Sequence, residues 1–186
     1  MNSILCNQGY IISKDDITKD KLLEIKKELK VQPFIRGARS HFAKKFKVYS
    51  ENDKKLCMPK FYGIKKLGKP KKIDLLSGNN ISIKFKGSMR DYQIQLINKI
   101  MPLILEQKGG IISLPPGRGK TVIALNILSR VKKKTLVIVH KTFLLNQWEK
   151  RINQFLPDAK VGIIQGPNID IDDKDIVIGM LQSISL

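Results

Sequence analysis

The chain has 186 residues and a formal net charge of +19, with 35 Lys and Arg against 16 Asp and Glu. Two cysteines are too few for a disulfide framework or a metal cluster, no apolar run reaches the ~18 residues of a membrane-spanning helix, and the start MNSILCNQGY lacks the basic and apolar regions of a secretory signal. The expectation is an intracellular chain of one or two domains, 42% hydrophobic, whose positive excess points to a polyanion such as DNA or RNA.

The charge is uneven: residues 1–88 carry 21 Lys and Arg against 8 Asp and Glu, and residues 89–186 carry 14 against 8. Gly9 to Ile12 predict a short strand. Leu22, Ile25 and Leu29 recur at helical spacing within 17–30, with Lys and Glu on the other face and Asp16 or Thr18 as cap. From Val31 to Lys86, strand-like runs at Phe46–Tyr49 and Ile81–Phe85 alternate with turn signals at Asn52-Asp53, Pro59, Gly63, Gly68-Lys69-Pro70 and Ser77 to Asn80. This predicts a small β-rich module over 1–88. Its lysine runs (Lys44-Lys45, Lys65-Lys66, Lys69 to Lys72) interleave with Phe42, Phe46, Tyr49, Phe61 and Tyr62. Two readings stand: a nucleic-acid surface, or an aromatic core with its charges outside. His41 has no partner in the sequence as a ligand or base.

A second unit is expected over 89–186. Tyr92, Leu96, Ile97, Ile100 and Ile104 make a helical stripe that Gly109-Gly110 ends. Ile111, Ile112 and Leu114 then read as a buried strand, followed by a Gly-rich turn, Gly119-Lys120-Thr121, and the apolar helical run from Val122 to Leu128. Strand, phosphate loop and helix form a recognisable unit. Gly117 and Gly119 let the backbone curl so that successive N–H groups face an anion. The helix that follows adds its unpaired donors and its dipole. Lys120 is placed to reach the β- and γ-phosphates of a nucleotide, and the Thr121 hydroxyl to ligate Mg²⁺. The general pattern G-x-x-x-x-G-K-[ST] has Leu114 at its first position here, and Pro115 and Pro116 stiffen the entry. Strands at Thr135–Val139, Val161–Ile164 and Asp175–Ile178 alternate with a helix over 141–155, whose inner face is Leu144, Trp148, Ile152 and Phe155. That alternation predicts a parallel, helix-covered sheet.

Four stretches carry a family resemblance. Met89-Arg90-Asp91-Tyr92-Gln93 resembles the "LRxYQ" element of superfamily 2 helicases, and LPPGRGKT their motif I. LVIVHKTFLLNQW, residues 136–148, resembles motif Ia and its helix, and DIVIGMLQSI, residues 175–184, the segment before the acidic motif II. Residues 46–70 resemble a module ahead of the helicase core in large cytoplasmic DNA viruses, with Ser50 and Lys60 where Arg is expected. The resemblance implies a partial RecA-like α/β lobe, with a parallel sheet and helices on both faces, at 89–186. A basic accessory module would occupy 1–88.

The roles it implies are specific. Gln93 would read the adenine edge and Arg90 would shape that pocket. Pro116, Gly117, Arg118, Gly119, Lys120 and Thr121 would hold the triphosphate, with Lys120 and Thr121 catalytic and Thr121 on Mg²⁺. Arg118 would face solvent or phosphate. Lys141 and Thr142, and less directly Gln182 and Ser183, would touch the nucleic-acid backbone; the other reading of Lys141 and Thr142 is a helix cap and a surface lysine. Trp148 reads as core rather than a base-stacking platform. No Asp-Glu-x-His/Asp motif follows the last strand, and no second lobe supplies an arginine finger. The expectation is part of an ATP-dependent helicase or translocase, acting on DNA over RNA, in the host cytoplasm, viral factory or virion if viral. This chain alone would be inactive, with no membrane partner; the alternative is a non-catalytic nucleic-acid-binding paralogue with a vestigial loop.

Overall fold

The computed structural model describes residues 2–33 and 43–185. The expectations at His41 and Phe42 lie outside the described residues. The chain divides into two compact units, Met1–Ser77 and Gly78–Leu186.

In the first unit, β1 (Ser3–Cys6), β2 (Gly9–Ser13), β5 (Ser50–Glu51), β6 (Lys55–Met58) and β7 (Lys72–Asp74) form a sheet in the order β5-β6-β2-β1-β7. Only β1 and β7 run parallel. A small ladder joins β3 (Lys30–Val31) to β4 (Phe46–Lys47). Side chains alternate between sheet faces, so β2 sends Tyr10 and Ile12 inward, both fully buried. Helix α1 (Lys19–Glu28) adds Ile25 to that core and starts at Thr18, whose hydroxyl accepts a 3.4 Å hydrogen bond from Lys21 N.

The sequence reading missed helix α2 (Lys60–Leu67), where Gly63 was expected to mark a turn. Gly63 instead lies against the ring of Tyr10, where a Cβ would collide with it. The packing, not local propensity, decides the element there.

In the second unit, β8 (Thr135–Val139), β9 (Val161–Gln165) and β11 (Ile176–Met180) are parallel, in the order β9-β11-β8, with β10 (Asn168–Ile169) antiparallel on β9. Helices α3 (Asp91–Gln107), α4 (Lys120–Val131), α5 (Thr142–Phe155) and the short α6 (Leu181–Ile184) complete the unit. The expected mixed α/β class with parallel strands is what forms. Ile176, Ile178, Leu125 and Ile152 are the fully buried centre of its larger core; Ile97 and Ile123 join α3 to α4. No helix among the described residues is long and apolar enough to cross a membrane.

Two expected strands do not form. Residues 81–85 alternate as predicted, with Ile81 and Ile83 buried, but they join no ladder, and a single bridge links Asn80 to Lys133. Both isoleucines belong to the second unit's core, and the compact units divide between Ser77 and Gly78. The run Ile111–Leu114 is also unpaired, with Ile111 97% exposed. A strand needs a neighbour to take its N–H and C=O groups. Among the described residues β8 is paired only with β11, and its outer edge is open. An apolar cavity of about 630 Å³ lies beside it, lined by Ile104, Ile112, Ile127, Val137 and Trp148 among others.

Candidate nucleotide site and nucleic-acid edge

The loop ahead of α4 is curled. Gly117 and Gly119 take φ of 77° and 70°, a left-handed conformation that residues with a Cβ rarely adopt. Gly119 is the N-cap, and its carbonyl accepts the 3.0 Å bond from Ile123 N that opens the helix. The first N–H groups of α4 have no partner within the helix, which leaves donors and a positive dipole end facing the loop. Nothing lies within 4 Å of where a Cβ on Gly117 would sit, so the loop is open on that side. The Lys120 ammonium turns back across the loop, donating to Leu114 O at 2.9 Å and Pro115 O at 3.1 Å. One of its three donors is then left over. Leu114 packs against the α3–α4 core, and Pro115 and Pro116 are exposed.

Helix α3 holds this loop from behind. Gln93 is 4% exposed; its Oε1 accepts from Arg90 N at 3.0 Å and its Nε2 donates to Arg118 O at 3.2 Å. Both ends of the amide that would read an adenine edge are thus engaged within the chain. A Cβ at Gly119 would come to 2.5 Å from the same Nε2 and push the amide aside, while the positive φ itself favours glycine. Tyr92, read from sequence as part of the apolar stripe and of the LRxYQ-like element but given no role of its own, also donates from its hydroxyl to Arg118 O, at 3.0 Å. The Arg118 guanidinium lies over the Tyr92 ring, 5.5 Å from its centroid. The Tyr92–Gln93 pair in the sequence was the available signal, and its second function needed the loop to arrive beside it. The Arg90 side chain stays exposed at the start of α3.

Thr121 sits in the first turn of α4, half-buried. The described residues contain no group of three or more His, Cys, Asp or Glu suited to a metal ion. Mg²⁺ keeps several waters and binds through few protein oxygens plus phosphates. The Thr121 hydroxyl beside the phosphate loop fits a Mg²⁺ ion that arrives with a nucleotide and keeps most of its other ligands as water and phosphate.

The residues assigned to nucleic acid meet at the carboxyl ends of three parallel strands. Lys141 caps α5 just after β8 and is exposed, and Thr142 Oγ1 accepts from Gln165 Nε2, at the end of β9, at 3.4 Å. Gln182 Nε2, beyond β11, donates to His140 O at 3.2 Å, and Ser183 Oγ accepts from Gly166 N at 2.9 Å. Ligands gather at this edge of open α/β sheets. Trp148 is half-buried against the larger core and lines the apolar cavity.

"Putative ATP-dependent RNA helicase L396" of Acanthamoeba polyphaga mimivirus is 36% identical over 95% of this chain and 35% of its own length. "DNA 3'-5' translocase XPB2" of Sulfurisphaera tokodaii is 45% identical over 45% of this chain and 18% of its own. A solved structure, the Sulfolobus solfataricus SWI2/SNF2 ATPase core in complex with dsDNA, aligns with 56% of this chain and 23% of that one, at TM-score 0.45 and 24% identity. The chain spans about a third of the length of the first curated relatives it matches. The family described as Type III restriction enzyme, res subunit (ResIII) matches residues 86–186, more than half of the chain, and the chain belongs to that family of superfamily 2 helicase domains.

Proposed function

We propose that this chain is part of an ATP-dependent superfamily 2 helicase or translocase and binds ATP with Mg²⁺ at Leu114–Thr121. Nucleic acid, DNA over RNA, lies at the edge formed by Lys141, Thr142, Gln182 and Ser183. The observation that carries the reading is the curled loop at the N-terminus of α4, with Lys120 folded over its entry.

The loop N–H groups and the first turn of α4 face the β- and γ-phosphates. Lys120 exchanges its two carbonyl partners for phosphate oxygens, a gain because charge-assisted bonds are stronger than those to neutral acceptors. Gln93 and Tyr92, both on Arg118 O, keep the loop in register while that exchange occurs. Arg90, Pro116 and Arg118 border the nucleotide. Mg²⁺, when bound, neutralises charge on the phosphates, and the Thr121 hydroxyl is its ligand from this chain. In the whole protein, nucleotide-driven opening and closing moves a strand past the carboxyl edge of the sheet. The preference for DNA has its support in the 45% local identity to a protein named as a DNA translocase.

Titration with a fluorescent ATP analogue tests the site. Lys120→Ala is expected to weaken binding by about 1.5–3 kcal/mol, the range for a hydrogen bond to a charged group. Equal affinities for parent and variant would remove the phosphate-site assignment.

A further inference from the structure

We propose that the exposed face of α2, with the chain that follows it, is a docking surface for single-stranded nucleic acid within the first unit. It lies outside residues 86–186 matched by the family.

Residues 60–72 hold six lysines and no Asp or Glu. The structure sorts those charges. Lys66 is tied to Glu24 at 2.8 Å and Glu28 at 2.7 Å, and Tyr62 donates to Glu28 at 2.7 Å, so that side of α2 is neutralised against α1. Gly63 lies on Tyr10, and Ile64 and Leu67 pack into the core. What remains facing solvent is Phe61, 49% exposed, and Lys65 one turn along, about 6 Å by helical rise. Lys69, Lys71 and Lys72 continue the exposed run, and none of these four lysines has a carboxylate partner among the described residues.

The backbone that carries them is fixed. Tyr10 Oη donates to Gly68 O at 3.2 Å, Lys71 N donates to Ser3 Oγ at 3.1 Å, and Lys72 lies in β7, paired in parallel with β1. The lysines are therefore displayed from an ordered frame, with little backbone entropy to lose on binding. Lys60 holds its ammonium 4.9 Å from the centre of the Phe61 ring. An accessible ring followed by Lys65, Lys69, Lys71 and Lys72 has the two parts needed to bind single strands: a face on which a base stacks, and charge that follows the phosphates. Base faces inside a duplex are already stacked, which favours an unpaired strand.

Fluorescence anisotropy of the full chain with a labelled oligothymidylate and with a duplex of equal length tests this. Lys65→Glu/Lys69→Glu is expected to weaken oligothymidylate binding at least ten-fold and to make the salt dependence shallower by about one to two in log–log slope, since each lost phosphate contact on a single strand removes about 0.7. The control Lys99→Glu/Lys150→Glu, equal in charge and exposed on other helices, is expected to cost less than three-fold. Phe61→Ala should lose about ten-fold on oligothymidylate and little on duplex, with Phe61→Trp restoring it. The proposal is overturned if the two charge-reversal pairs behave alike, or if Phe61→Ala costs as much on duplex as on single strand. Binding of the ATP analogue, measured alongside, is independent of this surface, so an unchanged nucleotide affinity with an indifferent α2 sinks this proposal alone.

Discussion

The two units differ in how completely they close. In the first, Tyr10, Ile12, Ile25 and Leu56 are all fully buried, and the central strands β2 and β1 are paired on both sides. In the second, Leu136 and Ile138 of β8 are 49% and 54% exposed, and Ile111 is almost wholly so, beside an apolar cavity. Yet the second unit carries the sharper chemical motif. A phosphate loop needs only local features: two positive-φ glycines, a helix N-terminus and a lysine within reach. A closed core needs every apolar surface to find a partner, and among the described residues the outer edge of β8 has none.

That contrast can be broken or sharpened by substitution. The largest effect is expected from Tyr10→Ala, which empties the centre of the first core and removes the hydrogen bond to Gly68 O; urea unfolding should show a loss of about 3–5 kcal/mol. Gly63→Ala comes next. Its new Cβ meets the Tyr10 ring, and the overpacking should cost about 1–3 kcal/mol by the same measurement, although Ala is the better helix former. A gain in stability would mean that α2 is not seated as described.

A smaller effect is electrostatic. Lys14 and Lys26, at 2.7 and 2.6 Å, hold the Glu51 carboxyl below its ordinary value of 4.5. A carboxylate depressed in the folded state contributes in full above about pH 4.5, and the contribution is lost as pH falls through the lowered folded value. Glu51→Gln should therefore destabilise at pH 7 by about 1 kcal/mol or less, and the gap between parent and variant should narrow as pH falls below the ordinary value of 4.5. A gap that does not narrow there would assign the effect to packing. Smallest of all is Ile138→Ala on the open edge. Following Trp148 fluorescence through urea unfolding should show a change within about 0.5 kcal/mol, the range for exposed positions. A loss like that of Tyr10→Ala would mean that this face is covered in solution.

Particular residues show where sequence reasoning reached and where it stopped. Thr135–Val139, Val161–Ile164 and Asp175–Ile178 were legible because short β-branched runs between turn signals have few other outcomes. The helix after Gly119 was legible for the same kind of local reason, as was the cap at Thr18. Ile111–Leu114 has the composition of a buried strand and does not form one, since hydrogen-bond partners are supplied by another segment or not at all. Gly63 looked like punctuation and proved to be a packing contact. Gln93 looked like a reader of the adenine edge; in the structure its Nε2 holds the loop through Arg118 O, while its Oε1 takes Arg90 N at the start of its own helix.

What the sequence determined by itself was the inventory of locally encoded parts: the left-handed glycines, the Lys120 and Thr121 pair at a helix start, the apolar stripes of α1, α3 and α5, and the excess of lysine. Tertiary structure alone decided which lysines are neutralised and which are not, which strands have neighbours, and that Tyr92 and Gln93 converge on one carbonyl of the loop. The reason is range. Backbone angles, helix periods and caps are settled within a few residues, whereas pairing, burial and charge compensation depend on segments that only the fold brings into contact.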